Sequence, residues 1–259
     1  MKREILCFAL FGMPPTNATN PMTSSNSNNK IIGTLLITGA VALFIPYNFL
    51  IVIFDYPDIL RQDTAVILTR FQEGGARLIW TWFAFGISGI PLLPAYIMIG
   101  QKLEAKNSMA RTATTVGVIS LIVQMIGLLR WTFVVPVLAD TFVTAVDEPT
   151  RAAAIVAFKS IHQFAGVILG EHLGQLFTIA WTVMISIVLQ RLKIIPVWVA
   201  YFAYVSSTIY FLAQAELFAT VLPTIPQWSM AGFIGSTLWL IWLIILGVCF
   251  LRSNPGTDA

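Results

Sequence analysis

The chain is predicted to be an all-α membrane protein: a bundle of six transmembrane helices with both termini cytoplasmic. Three observations predict it. Hydrophobic residues are 57% of 259 and charged residues only 10%, whereas a soluble domain carries about 25% charged residues. Long apolar runs recur, each with room to cross a hydrocarbon core of about 30 Å. They are continuously apolar rather than alternating, which disfavours a transmembrane β-barrel.

Taken in order, residues 1–29 stand apart as a disordered or mis-assigned N-terminal tail, and residues 30–259 as the six-helix domain. Lys2 and Arg3 precede a short apolar run, Ile5 to Met13, then Pro14-Pro15 and a tract rich in Asn, Ser and Thr. The run is too short to span, and no clear small-residue cleavage site follows it, so a tail is preferred to a signal peptide. Met22 is an alternative start. The expected spans are Ile31 to Phe54, Leu78 to Gly100, Thr112 to Ala139, Phe164 to Leu189, Ile194 to Ala215 and Trp228 to Leu251. Pro91 and Pro94 should kink the second of these. Ala65 to Phe71 has helical character ended by Gly74-Gly75. Asp147-Glu-Pro149-Thr reads as a helix start, with Asp147 as cap and Pro149 in the first turn.

Orientation follows Lys and Arg. Short basic loops hold Lys30, Lys102, Lys106, Arg111, Arg191, Lys193 and Arg252 on one side. The longer loops of the other side mix Arg61, Arg70, Arg77, Arg151 and Lys159 with seven carboxylates, Asp55 and Glu148 among them. The basic side is expected to be cytoplasmic, in the inner (plasma) membrane. At 1.5 Å per residue, Arg111 to Arg130, Arg191 back to Glu171, and Lys193 to Glu216 rise about 28, 30 and 34 Å. These charges therefore share one layer at the outer edge of the hydrocarbon. Beneath it the spans carry no ionisable group, only the Gln124 amide near mid-depth. The pattern predicts a cup opening outward over a floor of packed apolar helices.

The stretch His162-Gln-Phe-Ala-Gly166-Val-Ile-Leu-Gly170-Glu171-His172-Leu-Gly174-Gln175 concentrates the polar chemistry. Its glycines recur at spacing four, a helix-packing stripe that would turn His162 inward with them. Glu171 and His172 are neighbours, so on an α-helix they point about 100° apart. Ionisable groups at such an edge are costly unless paired or wetted, so they are candidates for function. Arg130 is read either as an ion-pair partner of Glu171 or as a clamp for an anionic group. The candidate ligand-binding set is Arg130, Trp131, His162, Glu171, His172, Gln175, Glu216, Arg77 and Trp80. Glu171 and His172 would be catalytic only in an enzyme. The aromatic residues near this layer, Trp80, Trp82, Trp131, Tyr210, Phe211 and Phe218, suit an interfacial belt or a pocket wall.

Other chemistries lack their residues. His162 and His172 lie ten residues apart on one helix, about 15 Å, too far to ligate one haem from both faces. Ligation through one His or across a dimer stays open, and the cofactor is unknown. His172, Glu171 and Glu216 could meet, but no HExxH or CxxC spacing supports a metal site, and none is expected. No Walker A loop, GxGxxG or nucleophile elbow is present. Cys7 and Cys249 have no metal or disulfide spacing. There is no basic run for nucleic acid.

Gly166-Val-Ile-Leu-Gly-Glu171-His172-Leu-Gly174-Gln, followed by Trp181, resembles the hallmark of a bacterial integral membrane family known only as domain of unknown function 4386. Arg77-Leu-Ile-Trp80 and Leu129-Arg130-Trp131 are similar to that family as well. The resemblance runs from about Lys30 to the C-terminus. It implies the multi-helix architecture and draws attention to Arg130, Glu171, His172 and Trp181, but it carries no reaction. The expected role is an outer-leaflet polar site for a small or lipid-like ligand, in a receptor, accessory subunit or transporter component. The alternative is an intramembrane enzyme on a lipid or isoprenoid substrate, with Glu171 as acid or base. Expected partners are the bilayer, a lipid-like or small anionic ligand and, as open alternatives, a second copy or a partner subunit.

Overall fold

The computed structural model describes residues 21–253, with side chains from Ser27 onward. Residues 1–20, most of the expected tail, lie outside the described residues. The described chain is helical without strands. Helix α1 (Pro21–Phe54) leads by a short 3-10 turn (Asp58–Arg61) to α2 (Thr64–Ile87) and α3 (Leu92–Leu103). Helices α4 (Met109–Phe133) and α5 (Val135–Thr144) follow. Then come α6 (Glu148–Ile161), a π-helical stretch (His162–Leu173) and α7 (Gly174–Arg191), stacked end to end. Helices α8 (Val197–Leu212), α9 (Gln214–Ala219) and α10 (Ala231–Arg252) complete the bundle.

Among the described residues, five helical segments are long and apolar enough to cross a membrane: Ser27–Phe54, Thr64–Leu103, Met109–Thr144, Glu148–Arg191 and Ala231–Arg252. The remaining expected span, Ile194 to Ala215, is represented by α8, whose 16 residues rise only about 24 Å. It ends at Leu212, and after a one-residue turn at Ala213 α9 starts at Gln214. The first helix starts at Pro21, ahead of the expected Ile31.

The local breaks have local causes. Between α2 and α3 the chain makes tight turns, Ile90 N–H to Ile87 O and Leu92 N–H to Gly89 O, both 3.0 Å. Pro91 then begins α3 at φ −61°, a φ its ring already imposes. Gly75 sits at φ +53°, ψ −149° inside α2, in the left-handed region that glycine enters without a Cβ penalty. Helix therefore resumes directly after the glycines instead of ending there. Asp147 caps α6, accepting from the Thr150 backbone N–H at 2.8 Å and its hydroxyl at 3.1 Å. Those two donors hold the exposed Asp147 carboxyl below its usual range. The π-helical stretch was not expected. Its i→i+5 bonds are rare and concentrate at functional sites.

Two apolar cores fill the bundle. One surrounds Tyr96, Trp181 and Trp242, with Leu36, Leu92, Ile185 and Leu246. Here Tyr96 and Trp181 stack with ring centres 3.6 Å apart, and Asn29 and Ser253 bring α1 and the end of α10 together at 2.8 Å. The other surrounds Trp82 and Trp131, stacked at 4.8 Å, with Phe54, Phe71 and Phe158. The polar groups of the loops expected outside cluster nearby: Arg70 pairs with Asp55 at 2.6 Å and Gln72 donates to Asp140 at 3.2 Å.

Candidate functional site

The glycine stripe positions the site. On the π-helical stretch and the start of α7, each glycine faces one residue of α4. A side chain at Gly166 would strike the Arg130 guanidinium, one at Gly170 the Gly127 backbone, and one at Gly174 the Gln124 side chain. The two backbones therefore approach at Gly127 and Gly170, as small residues permit in membrane helices. Above that contact Gly166 leaves room for Arg130, and below it Gly174 leaves room for Gln124. The packing reading of the stripe holds, and it also aims two polar side chains.

Between the two cores lies a cavity of ≈ 460 Å³. That volume is in the usual range of small-molecule pockets. Arg130, Trp131, His162, Glu171, Gln175 and Glu216 line it, as do Tyr47, Tyr56, Arg61, Gln124 and Tyr210. Leu43, Phe44, Phe85, Leu128, Phe233 and Leu240 supply an apolar wall. The structure thus brings together six of the nine residues expected to bind a ligand. Arg77 is exposed on α2 and Trp80 is 68% exposed, so both face outward as belt residues do. His172 faces away from the cavity: its Nδ1 donates to Gln214 Oε1 at 2.6 Å, and Phe218 packs edge-on against its ring. It reaches the cavity only through Gln214, whose amide donates to Gln175 at 2.7 Å. His172 therefore does not line the cavity beside Glu171.

Arg130 is 6% exposed. It donates to its own-helix carbonyl at Gly127, and its Nη2 meets His162 Nδ1 at 3.5 Å. Arginine has no acceptor atom, so His162 accepts on Nδ1 and carries its proton on Nε2. The Arg130 Nε has no hydrogen-bond partner. The expected ion pair with Glu171 is not formed. Among the described residues no carboxylate pairs with Arg130, and the half-buried Glu171 carboxylate has neither an ion pair nor a hydrogen bond. The other two lining charges are joined to each other: Arg61 pairs with Glu216, and with Asp58 at 2.9 Å.

The loop after α1 turns over this arrangement. Asp55 takes φ +51° and the Tyr56–Pro57 bond is cis, and Tyr56, Pro57, Leu60 and Arg61 all face the cavity. Burial first, and then the Glu171 charge beside it, push the Tyr56 hydroxyl above its ordinary value. It keeps its proton and is a donor at neutral pH. Below the cavity Gln124 is not a lone amide. It donates to Ser120 Oγ and Thr178 Oγ1, both at 2.9 Å, and Ser120 bonds the Gly174 carbonyl at 3.0 Å. A tied polar floor joins α4 to α7. Sequence reasoning missed Tyr47 and Tyr56, named Tyr210 only as a belt or pocket-wall aromatic, and assigned Arg61 no role in the site. A signal existed for Tyr47 and Tyr210, each a phenol inside an otherwise apolar run, but spacing does not reveal that they converge. Among the described residues, no three of His, Cys, Asp and Glu gather as metal ligands.

No curated protein and no solved structure matches the chain. The profile of a family described as Domain of unknown function (DUF4386) matches residues 31–247, a segment that holds every residue lining the cavity, from Leu43 to Leu240. With that match over most of its length, the chain belongs to the family of domain of unknown function DUF4386.

Proposed function

We propose that this multi-pass membrane protein binds a small or lipid-like ligand in the cavity between α1, α4, the π-helical stretch and α10, as a receptor, accessory subunit or transporter component. The carrying observation is one cavity lined both by charges without an ion pair and by apolar side chains. Arg130, buried, and Glu171, half-buried, line it and form no ion pair with any described residue. Leu43, Phe44, Phe233 and Leu240 line it too. An unpaired charge among apolar helices is expensive, and a ligand that supplies the missing partner offsets that cost. An apolar wall beside those charges suits a molecule with a polar head and a hydrocarbon part. In this reading α8, extended by α9, serves as a sixth span. The ends carrying Lys30 and Arg252 are cytoplasmic, and the cavity sits in the outer leaflet of the inner membrane.

Native mass spectrometry of the purified protein, with an absorption spectrum, tests the reading. A co-purified lipid-like mass that is lost in Arg130→Gln is expected; protein that emerges empty and takes up no added lipid overturns it. One observation favours the enzymatic alternative: the Glu171 carboxylate faces the cavity with no hydrogen bond, as a proton acceptor would. The two roles separate at Glu171→Gln. A binding protein changes affinity, whereas an enzyme using that carboxylate keeps its substrate and loses turnover by orders of magnitude.

A further inference from the structure

Resting on that binding reading, we infer that the ligand head is zwitterionic: an anionic group seated on Arg130 and an ammonium seated on Glu171, as in an aminoalkyl phosphate lipid head. Four ionisable side chains with a fixed charge line the cavity: Arg61, Arg130, Glu171 and Glu216. Arg61 and Glu216 satisfy each other. His162 is neutral, because its Nδ1 accepts from Arg130. That leaves one cation and one carboxylate lining one cavity, neither of them joined to the other or to any other described side chain by an ion pair.

The charge balance decides the class. A purely anionic ligand satisfies Arg130 and leaves Glu171 as an uncompensated charge beside new negative charge. A purely cationic ligand does the reverse. Each of these strands a charge, which is strongly unfavourable in a desolvated site. A zwitterion pairs both and keeps the cavity neutral. The surroundings of the two charges differ in the same sense. Arg130 lies beside Gly127, Gly166 and Trp131, and its buried Nε–H has no hydrogen-bond partner. Glu171 shares its part of the cavity with Tyr56, held nearby by the loop after α1, and with Tyr47 and Tyr210. Tyr47 and Tyr56 meet edge to face at 5.7 Å. Phenol rings around a carboxylate form a cation-binding environment, and the Tyr56 hydroxyl adds a hydrogen-bond donor to it.

The test uses full-length protein in detergent and four probes: dodecylphosphoethanolamine, dodecyl phosphate, dodecylamine and soluble O-phosphoethanolamine. Binding is read by intrinsic tryptophan fluorescence, with Trp131 and Trp239 in the wall as reporters. The zwitterionic dodecyl probe is expected to bind tightest. In Glu171→Gln its affinity should fall about 30-fold or more, the cost of removing one member of a buried charge pair, while dodecyl phosphate gains. Dodecyl phosphate binding the native protein as tightly as the zwitterion, with no response to Glu171→Gln, overturns the zwitterion assignment and leaves the binding reading standing. Failure of all four probes overturns both. O-Phosphoethanolamine binding as tightly as its dodecyl ester keeps the charge assignment and overturns a lipid source. The ranking on unmodified protein is decisive even where a variant fails to fold.

Discussion

Around Trp181 the bundle is closed, and around Arg130 it is not. Trp181 is fully buried, stacked on Tyr96 at 3.6 Å and edge-on to Trp242 at 5.7 Å. Gly117 lies so close beneath it that an added side chain would strike both Trp181 and Tyr96. Arg130 is almost as buried, yet a cavity of ≈ 460 Å³ lies beside it. Both regions are held by glycines and stacked aromatics, Trp82 on Trp131 in one and Tyr96 on Trp181 in the other. The difference is where the glycine space goes. At Gly117 an aromatic ring fills it, and the result is stability. At Gly166 a guanidinium fills it, and the result is a charge facing a cavity, which costs stability.

The comparison breaks most visibly at the closed end. Trp181→Ala should cost about 3–5 kcal/mol, the usual loss for a large buried aromatic, read as a fall in thermal midpoint in detergent. Ligand affinity per folded molecule should be unchanged, because Trp181 does not line the cavity. A lost ligand with intact stability would falsify the division into a closed and an open half.

Next comes the contact that both halves share. Gly170→Val drives a branched side chain into the Gly127 backbone, so about 1–3 kcal/mol of overpacking is expected. Here stability and binding should fall together, since separating the helices displaces Arg130 and Gln124 as well. Size-exclusion profiles and ligand occupancy, measured on the same preparation, check whether they move in step.

How much of this was legible before the fold was known follows from what each residue reports locally. The glycine stripe was legible because small residues at spacing four have one dominant use. The layer holding Arg130, Glu171 and Glu216 was legible because helix rise converts residue number into depth. Direction around the helix axis was less so. Arg77 and Trp80 share the layer but face outward, and His172 turns toward Gln214. Depth fixes height, not azimuth, and the π-helical register from His162 to Leu173 adds a residue to each hydrogen-bonded ring, so α-helical angles do not apply there. Tyr47, Tyr56 and Tyr210 come from α1, the following loop and α8. Their convergence is a property of tertiary packing that no local period carries. The interruption after α8 was not legible either: the apolar run continues to Ala215, but the helix ends at Leu212 and α9 begins at Gln214.

At the open end the expected effect on stability is smaller and of opposite sign. Glu171→Gln removes an unpaired carboxylate from an apolar setting while keeping its shape. Without ligand the variant should be equal in stability or more stable by about 1 kcal/mol, while the affinity for a zwitterionic lipid falls. A variant that is destabilised without ligand would mean that Glu171 is a structural partner, and the charge would no longer count as functional.

The smallest effect is expected at Asp147, which starts the helix leading into the π-helical stretch. Its carboxyl is held below the usual range mainly by the Thr150 backbone N–H and then by the Thr150 hydroxyl. A carboxyl depressed in the folded state stabilises above its unfolded pKa, about 3.9, and loses that contribution as pH falls through the folded value. The group is exposed, so Asp147→Ala should lower the thermal midpoint by only about 2 °C at neutral pH. The difference from native protein should shrink below about pH 4. Asp147→Asn keeps an acceptor for Thr150 and should show most of the native midpoint with no acid dependence of its own. Hydrogen exchange across Ala152 to Phe158 resolves the effect locally. If fraying there also weakens ligand binding, then α6 contributes to the cavity through His162, whose ring stacks on Phe158 at 5.3 Å, and the boundary of the open half moves outward to include it.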